Sequence, residues 1–338
     1  MSKDIYEEEN FNQEQNEYSL EISKEDFHKY KLLSPLLEIH DTPKKLFFKS
    51  KNKQILESFL SKNINGKDFK VLTIVGSRRN SHYGKDALEY LMRDLKKENI
   101  IIVSGLALGT DSLAHTNAIK NNLPTISIPG SGLGERVLYP ASNLSLAREI
   151  IDTNNIFISE YSPDKKSQLY FFPARNRIMA AISDAVLIVE AGEKSGTLIT
   201  ARLAMEYGKN VGVLPNSIFA EVSRGSNRLM QEGAITVLSS QDILEMLSIS
   251  KDEQGLLELD FNNKKHTDRL KEVLDSLNHN ERRILEKVLQ NGSLEKDILL
   301  KDLEEEYGLS YTDSLVALMS LEINGFIKEE MGEIRLVR

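Results

Sequence analysis

The sequence of 338 residues predicts an α/β protein whose main domain, residues 70–247, is a doubly wound, mostly parallel sheet. Apolar runs of strand length alternate there with longer segments of helical period, which is typical of parallel sheets. One run, residues 186–189, is apolar at every position, which indicates a strand covered by helices on both faces. Gly208 and Gly233 follow two of the helical segments, where a left-handed residue ends a helix.

The elements of this domain are predicted in a regular order. The strands are expected at 71–76, 100–105, 125–129, 156–161, 185–191, 210–215 and 234–238. The helices are expected at 84–98, 111–121, 143–152, 174–182, 197–207 and 226–232. Because open parallel sheets bind their ligands at the carboxyl ends of the strands, the turns at those ends are the first candidates for a site.

The segments on either side of the main domain differ from it in composition. Residues 1–30 are polar and acidic without a clear period, which predicts a disordered arm. Residues 31–69 carry apolar side chains at helical spacing, which predicts a helical extension packed on the main domain. Residues 248–267 are polar and are expected to form a linker to a second domain.

The second domain, residues 268–338, is predicted to be a winged helix, with four helices followed by a hairpin around Met331 and Gly332. The helices are expected at 268–277, 280–290, 296–306 and 311–324. Residues 248–338 carry 13 Lys/Arg and 20 Asp/Glu, a net charge of −7, and no cation occurs between Lys301 and Lys328. Since a helix that reads duplex DNA needs cations, we expect this domain to bind protein.

Composition excludes several classes of function. The chain has no cysteine, so disulfides, thiolate catalysis and cysteine-bound zinc are excluded. No apolar run reaches the length of a membrane span and the first residues lack the apolar core of a signal peptide, so we expect a cytoplasmic protein without a membrane partner. The net charge of −8 arises mainly in the C-terminal part, because residues 71–247 carry 18 cations and 18 acids.

Three turns of this domain combine glycine, Ser/Thr or arginine, at residues 75–79, 172–177 and 194–197, and a fourth carries glycine at Gly105. The first strand ends in Gly76-Ser77-Arg78-Arg79, which lacks the glycine spacing of a dinucleotide site and favours phosphate contact. Gly105, after the second strand, allows a close approach of the backbone to a ligand. Lys194-Ser195-Gly196-Thr197 opens a helix and offers free N–H groups and hydroxyls to an anion. Simple helix capping by Ser195 or Thr197 is expected in either case and does not exclude a ligand.

An aromatic and cationic segment, Phe172 to Arg177, precedes another helix. Its cations Arg175 and Arg177 and the amide of Asn176 suit phosphates, and Phe172 suits a base, a combination that single-stranded nucleic acid requires. The alternative is that the aromatic rings are core and one arginine pairs with Glu160 or Glu190.

Acid–base or metal chemistry is not expected. We expect Glu160 and Glu190 to form ion pairs, and His82 and His115 are isolated. The sequence therefore predicts a non-enzymatic protein without a cofactor.

At these residues the chain resembles the DNA-processing protein A family (DprA, also called Smf). The matching segments, in the same order, are Ile-Val-Gly-Ser-Arg at 74–78, Val-Ser-Gly-Leu-Ala-Leu-Gly-Thr-Asp at 103–111, Ser-Glu-Tyr at 159–161, Phe-Pro-Ala-Arg-Asn-Arg-Ile at 172–178, Ser-Gly-Thr-Leu-Ile-Thr-Ala at 195–201 and Gly-Ser-Asn-Arg-Leu-Met-Gln-Glu-Gly-Ala at 225–234. The resemblance implies a Rossmann-like domain that dimerises, binds single-stranded DNA without sequence preference, protects incoming DNA in natural transformation and helps load the RecA recombinase. The DNA-contacting role is carried onto these residues and the turns around them: Ser77, Arg78, Arg79, Gly105, Phe172, Arg175, Asn176, Arg177, Lys194, Ser195, Gly196 and Thr197.

Two positions depart from the family pattern, since Ala141 and Leu169 stand where cations are common. Two other classes of function remain open. A phosphoribohydrolase-like enzyme on a similar sheet would carry a catalytic glutamate soon after its Gly-Thr turn, but Leu198, Ile199 and Thr200 follow here. An interaction scaffold would bind a partner protein without binding DNA.

Overall fold

The computed structural model describes residues 10–12, 17–249, 277–291, 293–324, 326–330 and 332–336. The chain divides into two compact units, residues 1–250 and 251–338. Each unit is described by itself.

The first unit is built on one ten-stranded sheet in its described part, in the order β1-β2-β3-β9-β8-β7-β6-β10-β11-β12. The seven neighbouring strands β9-β8-β7-β6-β10-β11-β12 are all paired in parallel. The strands β1, β2 and β3 form an antiparallel ribbon, and β3 pairs with β9 in antiparallel orientation. The doubly wound, mostly parallel sheet is thus confirmed. The strands are β1 (Asn10–Asn12), β2 (Glu17–Ser23), β3 (Lys45–Ser50), β6 (Lys70–Val75), β7 (Ile100–Ser104), β8 (Thr125–Ser127), β9 (Ile156–Ser159), β10 (Ala185–Ile188), β11 (Asn210–Val213) and β12 (Ile235–Thr236), with a separate small pair β4 (Asn63–Ile64) and β5 (Lys67–Asp68).

Helices cover both faces of this sheet. Along β6, Val71 and Val75 pack toward one apolar cluster and Leu72 and Ile74 toward another, because side chains alternate between the faces of a strand. The helices are α1 (Lys53–Leu60), α2 (His82–Asp94), α3 (Thr110–Lys120), α4 (Leu144–Asp152), α5 (Phe171–Ile182), α6 (Thr197–Glu206), α7 (Arg224–Gln231) and α8 (Ser240–Met246). The first cluster is completed by α1, α5, α6 and α7, and the second by α2, α3 and α8.

The N-terminal segment corrects two predictions. Residues 17–30 are ordered, since β2 buries Tyr18, Leu20 and Ile22 on one face, and this period of two was hidden among polar neighbours. The segment 31–69 is not simply helical, because β3 pairs with both β2 and β9 and continues the main sheet. The rest of the predicted arm, residues 1–9 and 13–16, lies outside the described residues.

The second unit contains helices α9 (His279–Asn291), α10 (Lys296–Tyr307) and α11 (Tyr311–Ile323) around a small core that includes Ile284, Leu303 and Leu321. Its three described strands form an antiparallel sheet in the order β13-β15-β14: β13 (Ser293–Glu295), β14 (Ile327–Glu330) and β15 (Glu333–Leu336). These helices and the hairpin lie where the sequence predicts them, while the assignment to the winged-helix class stays a prediction. The linker expected at 248–267 and the helix expected at 268–277 lie outside the described residues, except for positions 248, 249 and 277.

No helix in the described ranges is long and apolar enough to cross a membrane.

Candidate functional site

A cleft of about 700 Å³ opens at the carboxyl edge of the main sheet. It lies between the turn after β6, the first turn of α5 and the turn before α6, as expected for ligand sites of open parallel sheets. Ten of the twelve predicted site residues line it: Ser77, Arg78, Arg79, Phe172, Arg175, Asn176, Lys194, Ser195, Gly196 and Thr197. Gly105 and Arg177 do not.

The turn after β6 presents two exposed arginines. The Ser77 hydroxyl donates to the Arg79 carbonyl (2.9 Å) and accepts from the Arg79 N–H (3.0 Å), which closes the turn on itself. The Arg78 guanidinium carbon lies 5.4 Å from the centroid of the Phe172 ring, within the range of a cation–π contact. The Ser77 hydroxyl therefore shapes the turn, and Arg78 is held over an aromatic face.

The turn before α6 is held by the hydroxyl groups of Ser195 and Thr197. The Ser195 hydroxyl accepts from the Thr197 N–H (3.2 Å) at the start of the helix, whose N-cap residue is Gly196. The Thr197 hydroxyl donates to the Gly76 carbonyl (2.9 Å) and ties this turn to the one after β6. Lys194 and Gly196 remain exposed at the cleft.

The exposed cations of the cleft are Arg78, Arg79 and Lys194. Within the described residues, none of these three is within ion-pair distance of a carboxylate. The cleft does contain acids, since Asp111 and Glu221 also line it. The three cations are nevertheless available to an anionic ligand.

Arg175 is buried beneath the cleft, with 5 % of its surface exposed. Its guanidinium donates to the Ile128 carbonyl and, through Nε, to the Asn176 amide oxygen (3.2 Å). Burial, opposed by the neighbouring Asp111, lowers the pKa of Arg175, and burial, opposed by Arg175, raises the pKa of Asp111. A Cβ at Gly105 would overlap the guanidinium, so this glycine makes room for Arg175.

Arg177 lies outside the cleft and serves the fold, which corrects its placement among the phosphate-binding residues. Its Nη2 donates to both oxygens of Glu160 (2.7 and 2.8 Å), and its Nε donates to Asp41 (2.8 Å). The side chain is 9 % exposed. The predicted ion pair of Glu160 is confirmed, and the bond from Arg177 to Asp41 fastens the N-terminal segment to α5.

Glu190 shows that the prediction of an ion pair there is wrong. The carboxylate is fully buried and accepts from the N–H (2.9 Å) and hydroxyl of Ser81 and from the amide of Asn216 (3.1 Å). These bonds join the turns after β6, β10 and β11. Glu190 therefore organises the carboxyl edge of the sheet.

The segment around Phe172 combines core and surface rings, so the alternative that its rings are core holds for Phe171 and not for Tyr170. Phe171 is buried and stacks on Tyr161 at a centroid distance of 3.6 Å. Phe172 is half-buried, packs over Gly130 and meets the ring of Tyr139 edge-on at 5.5 Å. Sequence reasoning missed Tyr139, whose only signal was its place in the turn before Pro140.

Two observations concern titratable groups outside the cleft. His115 is buried, its Nδ1 lies 2.8 Å from the Thr125 hydroxyl, and burial lowers its pKa to about 3. Among the residues that the structure describes, no group of three His, Asp or Glu side chains is placed to hold a metal ion.

The fold and the cleft define a class: α/β proteins with a Rossmann-like sheet and a cationic cleft at its carboxyl edge. The sequence profile of one family, DNA recombination-mediator protein A, matches residues 27–248. The chain belongs to this family.

Relatives support the assignment. The chain is 39 % identical over 209 residues to DNA processing protein DprA of Streptococcus pneumoniae (62 % of this chain, 68 % of the relative) and 37 % identical over 212 residues to that of Bacillus subtilis (63 % and 67 %). Among solved structures, S. pneumoniae DprA superposes with a TM-score of 0.57 at 37 % identity, covering 67 % of this chain and 73 % of the other. DNA processing protein A of Helicobacter pylori, solved to study its single-stranded DNA binding mode, gives 0.54 at 33 % identity (63 % and 91 %).

Proposed function

We propose that this protein binds single-stranded DNA in the cleft without sequence preference. The observation that carries the proposal is a group of three exposed cations, Arg78, Arg79 and Lys194, that line one cleft without a carboxylate partner among the described residues, with Arg78 over the ring of Phe172. Backbone phosphates need cations and bases need apolar or aromatic surface, and the cleft offers both at its opening. The single-stranded DNA binding mode studied in the H. pylori relative supports the same ligand.

The phosphate contacts are assigned to Arg78, Arg79 and Lys194. Arg175 and Arg177 act through the fold, because their guanidinium groups are buried and engaged by protein groups. Three phosphate contacts on a single strand give a slope of roughly −2 in log binding constant against log salt concentration. Binding is therefore expected to depend on salt, with a slope less steep than that of a groove lined by many cations.

The cellular role proposed for this binding is protection of incoming DNA and loading of RecA recombinase during natural transformation, in the cytoplasm. Family membership and the resemblance of the site segments support it. We also propose a homodimer, in which two clefts would share one strand and bind it more tightly than either alone. The outer strand β12 supports this, since Ile235 and nearby Leu238 are 40 % and 73 % exposed.

The proposed activity is binding without catalysis. A phosphoribohydrolase needs an acid close behind its Gly-Thr turn, and here Leu198 and Thr200 are buried in α6 instead. The scaffold alternative has one specific observation in its favour. In the acidic second unit, α11 exposes Val316 and Met319 (63 % each), a face that suits a partner protein.

The test is fluorescence anisotropy of labelled oligo-dT, titrated with wild type, Arg78→Glu and Arg93→Glu at several salt concentrations. The control Arg93 lies on α2 with its side chain 60 % exposed, so both variants change the net charge equally. Arg78→Glu is expected to lower affinity severely and to reduce the salt slope by at least about 0.7, while Arg93→Glu binds like wild type. Equal binding by all three proteins would refute the cleft assignment. Absence of wild-type binding at low salt would favour the scaffold.

A further inference from the structure

An apolar rim borders the cationic cleft. It consists of Tyr139, Leu169 and Tyr170, which are 45 %, 89 % and 64 % exposed. Leu169 lines the cleft itself, and Tyr139 contacts Phe172, which also lines it. Single exposed apolar residues are common on proteins, but here one lines the cleft, one contacts a ring that lines it, and Tyr170 follows Leu169 directly in the chain.

The rings of the rim are held in place. Tyr170 meets the buried ring of Phe171 edge-on at 4.7 Å, with an interplanar angle of 83°. Phe171 in turn stacks on Tyr161, and burial followed by the charge of Glu160 raises the pKa of Tyr161 to about 12. The Tyr170 ring is therefore anchored by a buried ladder while much of its surface faces solvent. A fixed, exposed ring loses little conformational freedom when a flat ligand stacks on it.

One residue of the rim, Tyr139, is separated by a single aromatic ring from Arg78, to which a phosphate contact is assigned. The Arg78 guanidinium carbon lies 5.4 Å from the centroid of the Phe172 ring, and the centroid of the Tyr139 ring lies 5.5 Å from the same point. In a nucleotide, phosphate and base are joined through a single sugar. A strand whose phosphate is held at Arg78 consequently places its bases near this surface.

We propose that the rim of Tyr139, Leu169 and Tyr170 is a nucleobase-binding subsite. It deepens the proposed function and rests on it, because the bases belong to the strand whose phosphates bind Arg78, Arg79 and Lys194. Every base has an apolar face, so contact through stacking and apolar packing is independent of sequence. Salt does not screen apolar contacts, so the affinity added by this subsite does not depend on salt. A cation at the same positions would add affinity that salt screens.

The experiment compares two oligonucleotides of equal length, oligo-dT and a strand made entirely of abasic sites, which keeps the phosphates and lacks the bases. The proteins are wild type, the double variant Leu169→Ser/Tyr170→Ser, and the control Tyr90→Ser. Tyr90 is 41 % exposed on α2 and does not line the cleft. Leu169 and Tyr170 are largely exposed, so the double variant is expected to fold, which circular dichroism checks.

Wild type is expected to bind oligo-dT more tightly than the abasic strand, and the double variant to lose roughly 5- to 150-fold in affinity for oligo-dT, the range for one stacked base. Its affinity for the abasic strand and its salt slope should stay those of wild type, and Tyr90→Ser should match wild type throughout. The single variant Leu169→Lys should bind both strands more tightly than wild type, and its salt slope should be steeper by roughly 0.7.

Three results would overturn the subsite. An unchanged preference of the double variant for oligo-dT would show that bases bind elsewhere. An equal loss on both strands would make the rim a structural element of the phosphate site. A shift of the double variant from dimer to monomer in sedimentation, with that same equal loss, would make the rim an interface between copies. If wild type binds neither strand, the proposed function itself fails, which is a different outcome from all three.

Discussion

A substitution at Arg177, in its ion-pair cluster with Glu160 and Asp41, distinguishes a role in folding from a role in DNA binding. Arg177→Met keeps the length of the side chain and removes the cation, leaving Glu160 without its bidentate partner. Loss of one member of a buried pair costs about 3–5 kcal/mol. Here the Glu160 and Asp41 side chains are 21 % and 77 % exposed, so water compensates in part. We expect a loss of about 3 kcal/mol in the free energy of unfolding, near the bottom of that range.

The assay is urea unfolding followed by far-ultraviolet circular dichroism, since the chain has no tryptophan. For a unit of this size, about 3 kcal/mol corresponds to a fall in Tm of roughly 6–12 °C. The matched control is Arg202→Met, an exposed arginine on α6, whose effect should stay within about 0.5 kcal/mol. At temperatures where Arg177→Met is folded, its affinity for oligo-dT should equal that of wild type.

The pH dependence provides a second check on the same cluster. The hydrogen bond and charge of Arg177 lower the pKa of Asp41 from its ordinary 3.8. A lowered carboxyl pKa stabilises the folded state above pH 3.8, and that stabilisation is lost as the pH falls through the lowered value. The difference in stability between wild type and Arg177→Met should therefore shrink below pH 3.8. A stability equal to wild type at neutral pH, or loss of DNA binding by the folded variant, would refute the structural role.

Three further predictions test the surroundings of the cleft. Burial lowers the pKa of His115 from 6.5 to about 3, so the free energy of unfolding should fall by about 1.4 kcal/mol per pH unit as the pH drops from 6 to 4. His115→Gln should remove that slope in unfolding experiments at a series of pH values. Gly105→Ala should cost about 1–3 kcal/mol in urea unfolding, because the added Cβ overlaps the Arg175 guanidinium; an unchanged midpoint would contradict the packing described here. A chain truncated after Ser250 should keep its affinity for oligo-dT within about twofold, and a larger loss would place the second unit in the DNA-binding surface.

The main sheet could be predicted from the sequence because its signals are local. Strands such as β10 are apolar throughout, and the turns that end them carry glycine and polar residues within a few positions. The strands β2 and β3 were missed for the opposite reason. The apolar residues of β2 alternate with polar ones, and β3 has an apolar run of only three residues, 46–48. What makes them strands is their pairing with each other and the pairing of β3 with β9, more than 100 positions along the chain.

The candidate site divides in the same way. The sequence by itself determined which turns form the cleft, because parallel strands bring their carboxyl ends to one edge, and ten of the twelve predicted residues meet there. Only the tertiary structure decided which arginines a ligand could reach. Arg175 and Arg177 are two positions apart in one helix, yet the first is buried over Gly105 and the second is held by Asp41, 136 positions away. Such pairings depend on distances between elements, and no local pattern of residues encodes them.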